Sequence, residues 1–215
     1  MKVAAIIPTL NEEKNIASVI ASLQHSQCID EIIVVDDGSS DGTAAVAESL
    51  RAIVVRHDRN RGKGIAMASG AHATEAEILF FADADLMHFS PSHADALIEP
   101  VQNGTAGMAI GLRDRGRFLT WLLPHIAPVL GGERAIRRDI FLKLSGKASV
   151  DFGIETVMNA YCRKHHIPVK YIAMHGVKQI IKERKYGIWK GFLARMRMVF
   201  QILRAEIEVL LNRKL

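Results

Sequence analysis

Ile78-Leu79-Phe80-Phe81-Ala82-Asp83-Ala84-Asp85 decides how the rest of the chain is read. Its first five residues form a short apolar run rich in aromatic and β-favouring side chains, the pattern of a buried strand. Two carboxylates follow, one residue apart, where that strand should end. Open α/β sheets bind ligands at the carboxyl ends of their strands. Side chains two apart on an extended backbone leave it on the same side. Paired carboxylate oxygens suit a hard cation, Mg²⁺ or Mn²⁺, with positions left open for substrate phosphates. Taken alone, Asp-Ala-Asp is also ordinary turn chemistry, so its meaning depends on what lies around it.

Upstream, the pattern repeats. Val3–Pro8 reads as a first strand, ended by Pro8 because proline cannot donate to a ladder. Thr9 or Asn11 is placed to cap a helix carrying Glu12 and Glu13 in its first turn. Ile16, Val19, Ile20 and Leu23 give that helix one apolar face. Ile32–Val35 is a second strand, running into Asp36-Asp37-Gly38-Ser39. A helix from Thr43 to about Leu50, a strand over 53–55 and a helix over 65–74 follow. Strands alternating with helices predict an α/β fold with a mostly parallel sheet. Each polar loop follows a strand, so the loops collect along one sheet edge.

Downstream the pattern is less regular. Helix is expected over 91–101, strand over 108–112 and a Pro-broken apolar helical region over 118–130. Gly131 to Arg138 carries no element. Short helices are expected over 139–144 and 151–165, then a strand over 169–174 that delivers His175. A long amphipathic helix spans 190–213. No composition break marks a second domain, so residues 1–215 read as one unit. Residues 1–112 form its regular, nucleotide-binding half and 113–215 its less regular half.

Composition narrows the class. Two distant cysteines, Cys28 and Cys162, without a C-x-x-C pattern indicate a cytoplasmic protein. No apolar run reaches the ~18 residues of a spanning helix. The net charge of +5 is concentrated toward the C-terminus. No nucleic-acid recognition motif accompanies it. The basic, apolar-striped helix over 190–213 suits packing on its own domain or on a second copy as a homodimer. It also suits a peripheral position at a membrane surface.

Four motifs, in this order and spacing, resemble the family 2 glycosyltransferases: Pro8-Thr9-Leu10-Asn11-Glu12-Glu13, Asp36-Asp37-Gly38-Ser39, Asn60-Arg61-Gly62-Lys63-Gly64 and Asp83-Ala84-Asp85. The likeness covers residues 3 to about 112 and is greatest to dolichol- and polyprenyl-phosphate mannosyltransferases. Gly132–Arg138 and Phe152-Gly153-Ile154-Glu155 also resemble glucosyl-3-phosphoglycerate synthases. The resemblance implies the GT-A fold. It also implies a nucleotide-sugar donor (UDP- or GDP-sugar), Mg²⁺ or Mn²⁺ as cofactor and a phosphate-bearing acceptor.

It further implies site residues. Pro8, Leu10, Glu12, Asp37, Lys63, Asp83 and Ala84 would surround the nucleotide, Asp37 accepting an N–H from the base while Asp36 braces its loop. Lys63, between two glycines, would meet the diphosphate or the base. Asp85 would ligate the metal directly. Asp83 would touch the ribose or the metal, and His175 would be a third ligand. Asp85 and Glu155 are the candidate catalytic residues, since a hydroxyl acceptor needs a general base. An ionised phosphate acceptor needs cations instead, and Arg117, Arg134 and Arg138, in an arginine-rich neighbourhood with Arg113, Arg115 and Arg137, could supply them. A soluble phosphorylated acceptor such as phosphoglycerate is the alternative. A sugar-nucleotide nucleotidyltransferase would carry a glycine-rich, lysine-containing loop after the first strand, where this chain has Thr9-Leu10-Asn11-Glu12-Glu13.

Overall fold

The computed structural model describes residues 1–113, 132–145 and 153–179. Seven strands form one sheet in the order β3-β2-β1-β4-β7-β6-β8. They are β1 (Val3–Thr9), β2 (Glu31–Asp36), β3 (Ile53–Arg56), β4 (Ile78–Phe81), β6 (Met108–Arg113), β7 (Arg134–Arg137) and β8 (Val169–Met174). A two-stranded ribbon pairs β5 (Leu86–Met87) with β9 (Lys178–Gln179), antiparallel. In the main sheet β7 alone is antiparallel to its neighbours β4 and β6, so the sheet is mostly parallel as expected.

Alternation along each strand divides the core into two layers. Val3, Ala5, Ile7, Val34, Ile78 and Phe80 face α1 (Ile16–Gln24), α2 (Thr43–Ser49) and α4 (Pro91–Gln102). Ala4, Ile6, Ile33, Val35, Leu79 and Phe81 face the opposite helices. These are α3 (Lys63–His72), α5 (Arg138–Ser145) and α6 (Ile154–Lys164). Burying side chains such as Phe80 and Phe81 contributes about 1.5–3 kcal/mol each.

Strand order fixes the working edge. From β1 the chain moves outward through β2 and β3, then returns to place β4 on the other side of β1. The carboxyl ends of β1 and β4 therefore flank a switch point, where such sheets form a crevice. Asp83 and Asp85 follow β4 at that edge.

Several expectations need correction. Pro8 does not end β1, which runs through Thr9. Ile6 directs its carbonyl to Ala82 N on the β4 side, and Thr9 directs its own to Asp37 N on the β2 side. Pro8 thus faces the β4 side, where pairing has already stopped at Phe81, and no ladder bond is lost. Helix α1 begins at Ile16, not beside Asn11. Asn11 adopts φ 55°, the left-handed region, and turns the chain. Glu12 and Glu13 lie before the helix and serve the loops instead.

Gly131 to Arg138, read as lacking an element, contains β7. Its register sets Phe81 opposite Arg134 and Ile78 opposite Arg137. Arg138 therefore falls at the amino end of β4, away from Asp83. It donates to the Ala71 carbonyl and to Glu75, so its expected acceptor-binding role is not supported by its place in the fold. Arg115, Arg117, the 118–130 region, Asp151, Phe152 and the helix expected over 190–213 lie outside the described residues. Among the described residues no helix is long and apolar enough to cross a membrane.

Candidate active site

The loops at the carboxyl edge are laced together in chain order. After β1, Asn11 N donates to Ser39 Oγ, and Asn11 Oδ1 accepts from Ser40 N at 2.8 Å. Glu12 N donates to Thr43 Oγ1, and Glu13 Oε2 accepts from Gly42 N. The Glu12 carboxylate takes Asn15 Nδ2 at 2.7 Å. The β1 and β2 loops are thereby tied to each other.

Asp36, the last residue of β2, and Asp37, the next, are both buried. Asp36 Oδ1 accepts from Ser39 N, bracing its own loop as expected. Asp37 does more. Its Oδ1 accepts from His57 Nδ1 at 2.6 Å and from Arg61 N at 2.9 Å, and its Oδ2 from Gly62 N at 2.8 Å. A carboxylate can only accept, so His57 Nδ1 is the donor in this bond. His57 Nε2 meets Ser69 Oγ at 2.9 Å. Gly38, at φ 81°, lets the two loops close, since a Cβ there would stand 2.7 Å from the Arg59 backbone. Gly62, at φ 95°, then turns the chain into α3, so Lys63 is its first residue.

Lys63 Nζ donates to Asp83 Oδ1 at 2.8 Å and pairs with Glu155 Oε1 at 2.9 Å. Asp83 Oδ2 accepts from Arg113 Nη2 at 2.8 Å. Arg113 grips Glu133 with two nitrogens: Nε reaches Oε2 at 2.9 Å, and Nη2 bonds Oε1. Five groups of alternating sign thus run Glu155–Lys63–Asp83–Arg113–Glu133 across the edge. Burial alone would raise the Asp83 carboxyl, but the Lys63 and Arg113 charges hold it well below the usual carboxylate range. Burial likewise opposes ionisation of Glu155, and Lys63 and Arg134 overcome it and lower its pKa. Burial would also lower the Lys63 ammonium, yet Glu155 and Asp83 raise it. Glu133, with no exposure, is pushed upward by burial against the pull of Arg113.

The remaining predicted residues sort by place. Pro8, Leu10 and Glu12 lie at the end of β1, partly buried. Ala84 and Asp85 are buried beyond β4, Asp85 with only 5% exposure. His175 is exposed and follows β8, whose Met174 pairs with Arg113, so it belongs to the same edge. Asp83, Asp85 and His175 do not form a ready-made ligand set. Among the described residues no group of three or more His, Cys, Asp or Glu could hold a metal ion. The donor chemistry still fits Mg²⁺ or Mn²⁺, because such cations keep waters and take one or two carboxylates plus substrate phosphates. Arg134 is fully buried rather than presented to an acceptor. Its Nη1 donates to the Glu155 carbonyl at 3.3 Å, holding the first turn of α6.

Three participants have no sequence signal of the kind that marks the aspartates. His57 follows a strand end, which is a weak flag. Glu133 and the pairing use of Arg113 emerge only when β7 is set between β4 and β6. Thr9 Oγ1, buried at the end of β1, has no hydrogen-bond partner among the described residues, leaving polar capacity at the crevice.

Comparison with known proteins bears on the family and the fold. The domain model for glycosyl transferase family 2 matches residues 4–164. An uncharacterized protein of Methanocaldococcus jannaschii is 25% identical, over 96% of this chain and 93% of its own length. A UDP-N-acetylglucosamine–dolichyl-phosphate N-acetylglucosaminyltransferase of Methanococcus voltae is 33% identical over 50% of this chain, which spans half of that relative. Among solved structures, glucosyl-3-phosphoglycerate synthase from Mycobacterium tuberculosis, in complex with Mn²⁺, UDP and phosphoglyceric acid, superposes with a TM-score of 0.76 at 24% identity. It covers 95% of this chain and 78% of that one, and the shared architecture is the expected GT-A fold.

Proposed function

The chain belongs to glycosyl transferase family 2 and is a glycosyltransferase, and from that premise we propose that it moves a sugar from a UDP- or GDP-sugar to the phosphate of a polyprenyl phosphate. The observation that carries the proposal is the meeting of Lys63, Asp83 and Glu155 beside the β1/β4 switch point. A cation, a carboxylate and an acceptor-side carboxylate converge where a diphosphate-linked sugar would lie.

In this reading the whole chain works as one domain, with 1–112 holding the donor and 113–215 the acceptor. The loop braced by Asp37 receives the base, and Lys63 exchanges part of its pairing for the donor diphosphate. Asp85, with His175 from the opposite half, would hold Mg²⁺ or Mn²⁺. Bound there, the cation supplies Lewis-acid compensation for the charge on the leaving diphosphate. Asp83, held by Lys63 and Arg113, faces the ribose or the cation. An oxygen of the acceptor phosphate attacks the anomeric carbon as the bond to the diphosphate breaks, with inversion. That oxygen is already ionised, so no proton need be removed, and Glu155 orients the acceptor side. Residues 190–213 would keep the protein at the cytoplasmic membrane face. The Methanococcus relative, whose name includes a dolichyl-phosphate acceptor, supports this choice.

A second reading, transfer to phosphoglycerate, is favoured by one observation. The glucosyl-3-phosphoglycerate synthase structure covers 95% of this chain. There Glu155 would serve as the base that a hydroxyl requires. Incubation with labelled UDP- and GDP-sugars, Mn²⁺ and either polyprenyl phosphate in detergent or 3-phosphoglycerate separates the two. The proposal predicts label extracted into organic solvent. Label only in the aqueous phase with phosphoglycerate would select the second reading, and no transfer to either would contradict both.

A further inference from the structure

We propose that Glu133 is a positioning residue that, through Arg113, fixes the Asp83 carboxylate and balances the charge met by an incoming divalent cation. The inference rests on the reading of this edge as a metal–nucleotide site.

Glu133 is completely buried, directly before β7. Because β7 lies between β4 and β6, Glu133 sits beside the ends of both, where Asp83 and Arg113 emerge. Two nitrogens of Arg113 engage both oxygens of Glu133, which holds the planar guanidinium in one orientation. That orientation aims Nη2 at Asp83 Oδ2, 2.8 Å away. The preceding residue closes on the same contact: a Cβ at Gly132 would stand 2.6 Å from Asp83 Oδ2 and 3.1 Å from Arg113 Nη2.

A buried ion pair is weak evidence for stability, because desolvation offsets most of its Coulombic gain. Its value here lies in charge. Glu133 and Arg113 together sum to zero, so Arg113 can hold Asp83 without adding a net positive charge where a cation must bind. Neutralising Glu133 adds one positive charge to the cluster, with Arg113 still paired to Asp83. The added positive charge then repels the cation and attracts the nucleotide's phosphates.

That gives two effects of opposite sign. In the full chain, Glu133→Gln should weaken Mn²⁺ binding about tenfold, read from the free-Mn²⁺ paramagnetic resonance signal in the presence of UDP or GDP. Calorimetry in EDTA should show the same variant binding the metal-free nucleotide more tightly. Glu133→Asp, which keeps the charge, should return metal-free nucleotide affinity to that of the unmodified chain. A purely structural Glu133 would lower the melting temperature and move both affinities together or neither, and that result overturns the inference. If Glu133→Gln does not fold, Gly132→Ala tests the same contact with every charge retained. It should weaken Mn²⁺ binding and leave metal-free nucleotide binding unchanged, and unaltered Mn²⁺ binding would overturn the proposal. No Mn²⁺ or nucleotide binding by the unmodified chain would overturn the underlying reading as well, which keeps the two failures distinct.

Discussion

Asp37 accepts hydrogen bonds from His57 Nδ1, Arg61 N and Gly62 N, and its place in the chain is set by those donors. Removing His57 strips a charge-assisted bond from a buried carboxylate. His57→Ala should therefore cost about 1.5–3 kcal/mol of stability, measured by urea unfolding. It should also weaken nucleotide binding, because the loop leading to Lys63 loses its anchor. Unchanged stability would show that the two backbone donors suffice. Asp37 was legible in the sequence because Asp-Asp-Gly-Ser directly follows an apolar run. Its partner was not, since His57 lies twenty residues away and carries no spacing signature. Arg134 was misread for a related reason. An arginine beside other arginines suggests a phosphate contact, but its opposition to Phe81 buries it beneath α6.

At the scale of elements, α3 does the most positioning for its length. It packs on β1 and β2 through Gly70, where a Cβ would meet Ile6 Cγ2 at 2.5 Å and Val35 Cγ2 at 3.1 Å. Its first residue is Lys63, so any displacement of the helix is carried to the Asp83 and Glu155 pairs. Gly70→Val should cost about 1–3 kcal/mol through overpacking and should weaken donor binding. Circular-dichroism melts and nucleotide titration check this, and a fully stable variant with unchanged affinity would contradict it. Strands β1, β2, β4 and β8 were readable from short apolar or alternating runs. Strand β7 was not, because only Ala135 and Ile136 are apolar among its four residues, and its place depends on two partners distant in sequence. The late start of α1 was hidden similarly. Glu12 and Glu13 look like first-turn acids, but their bonds go to Asn15 and Gly42.

Across the molecule, a doubly covered and mostly parallel sheet brings the carboxyl ends of β1, β2, β3 and β4 to one edge. Four polar loops, modest individually, become a single site there. This convergence was legible because each polar motif follows a strand, and the topology of such sheets does the rest. The acceptor was less legible, since phosphate recognition by scattered arginines leaves no fixed spacing. The central claim is that this edge binds a nucleoside diphosphate together with a divalent cation held by Asp85. Calorimetric titration of UDP and GDP, with and without Mn²⁺, into the unmodified chain and Asp85→Asn tests it most directly. The account predicts that Mn²⁺ tightens binding of one nucleotide to the unmodified chain, and that Asp85→Asn folds but loses this gain. Equal Mn²⁺-dependent binding by Asp85→Asn, or no nucleotide binding by the folded unmodified chain, would contradict it.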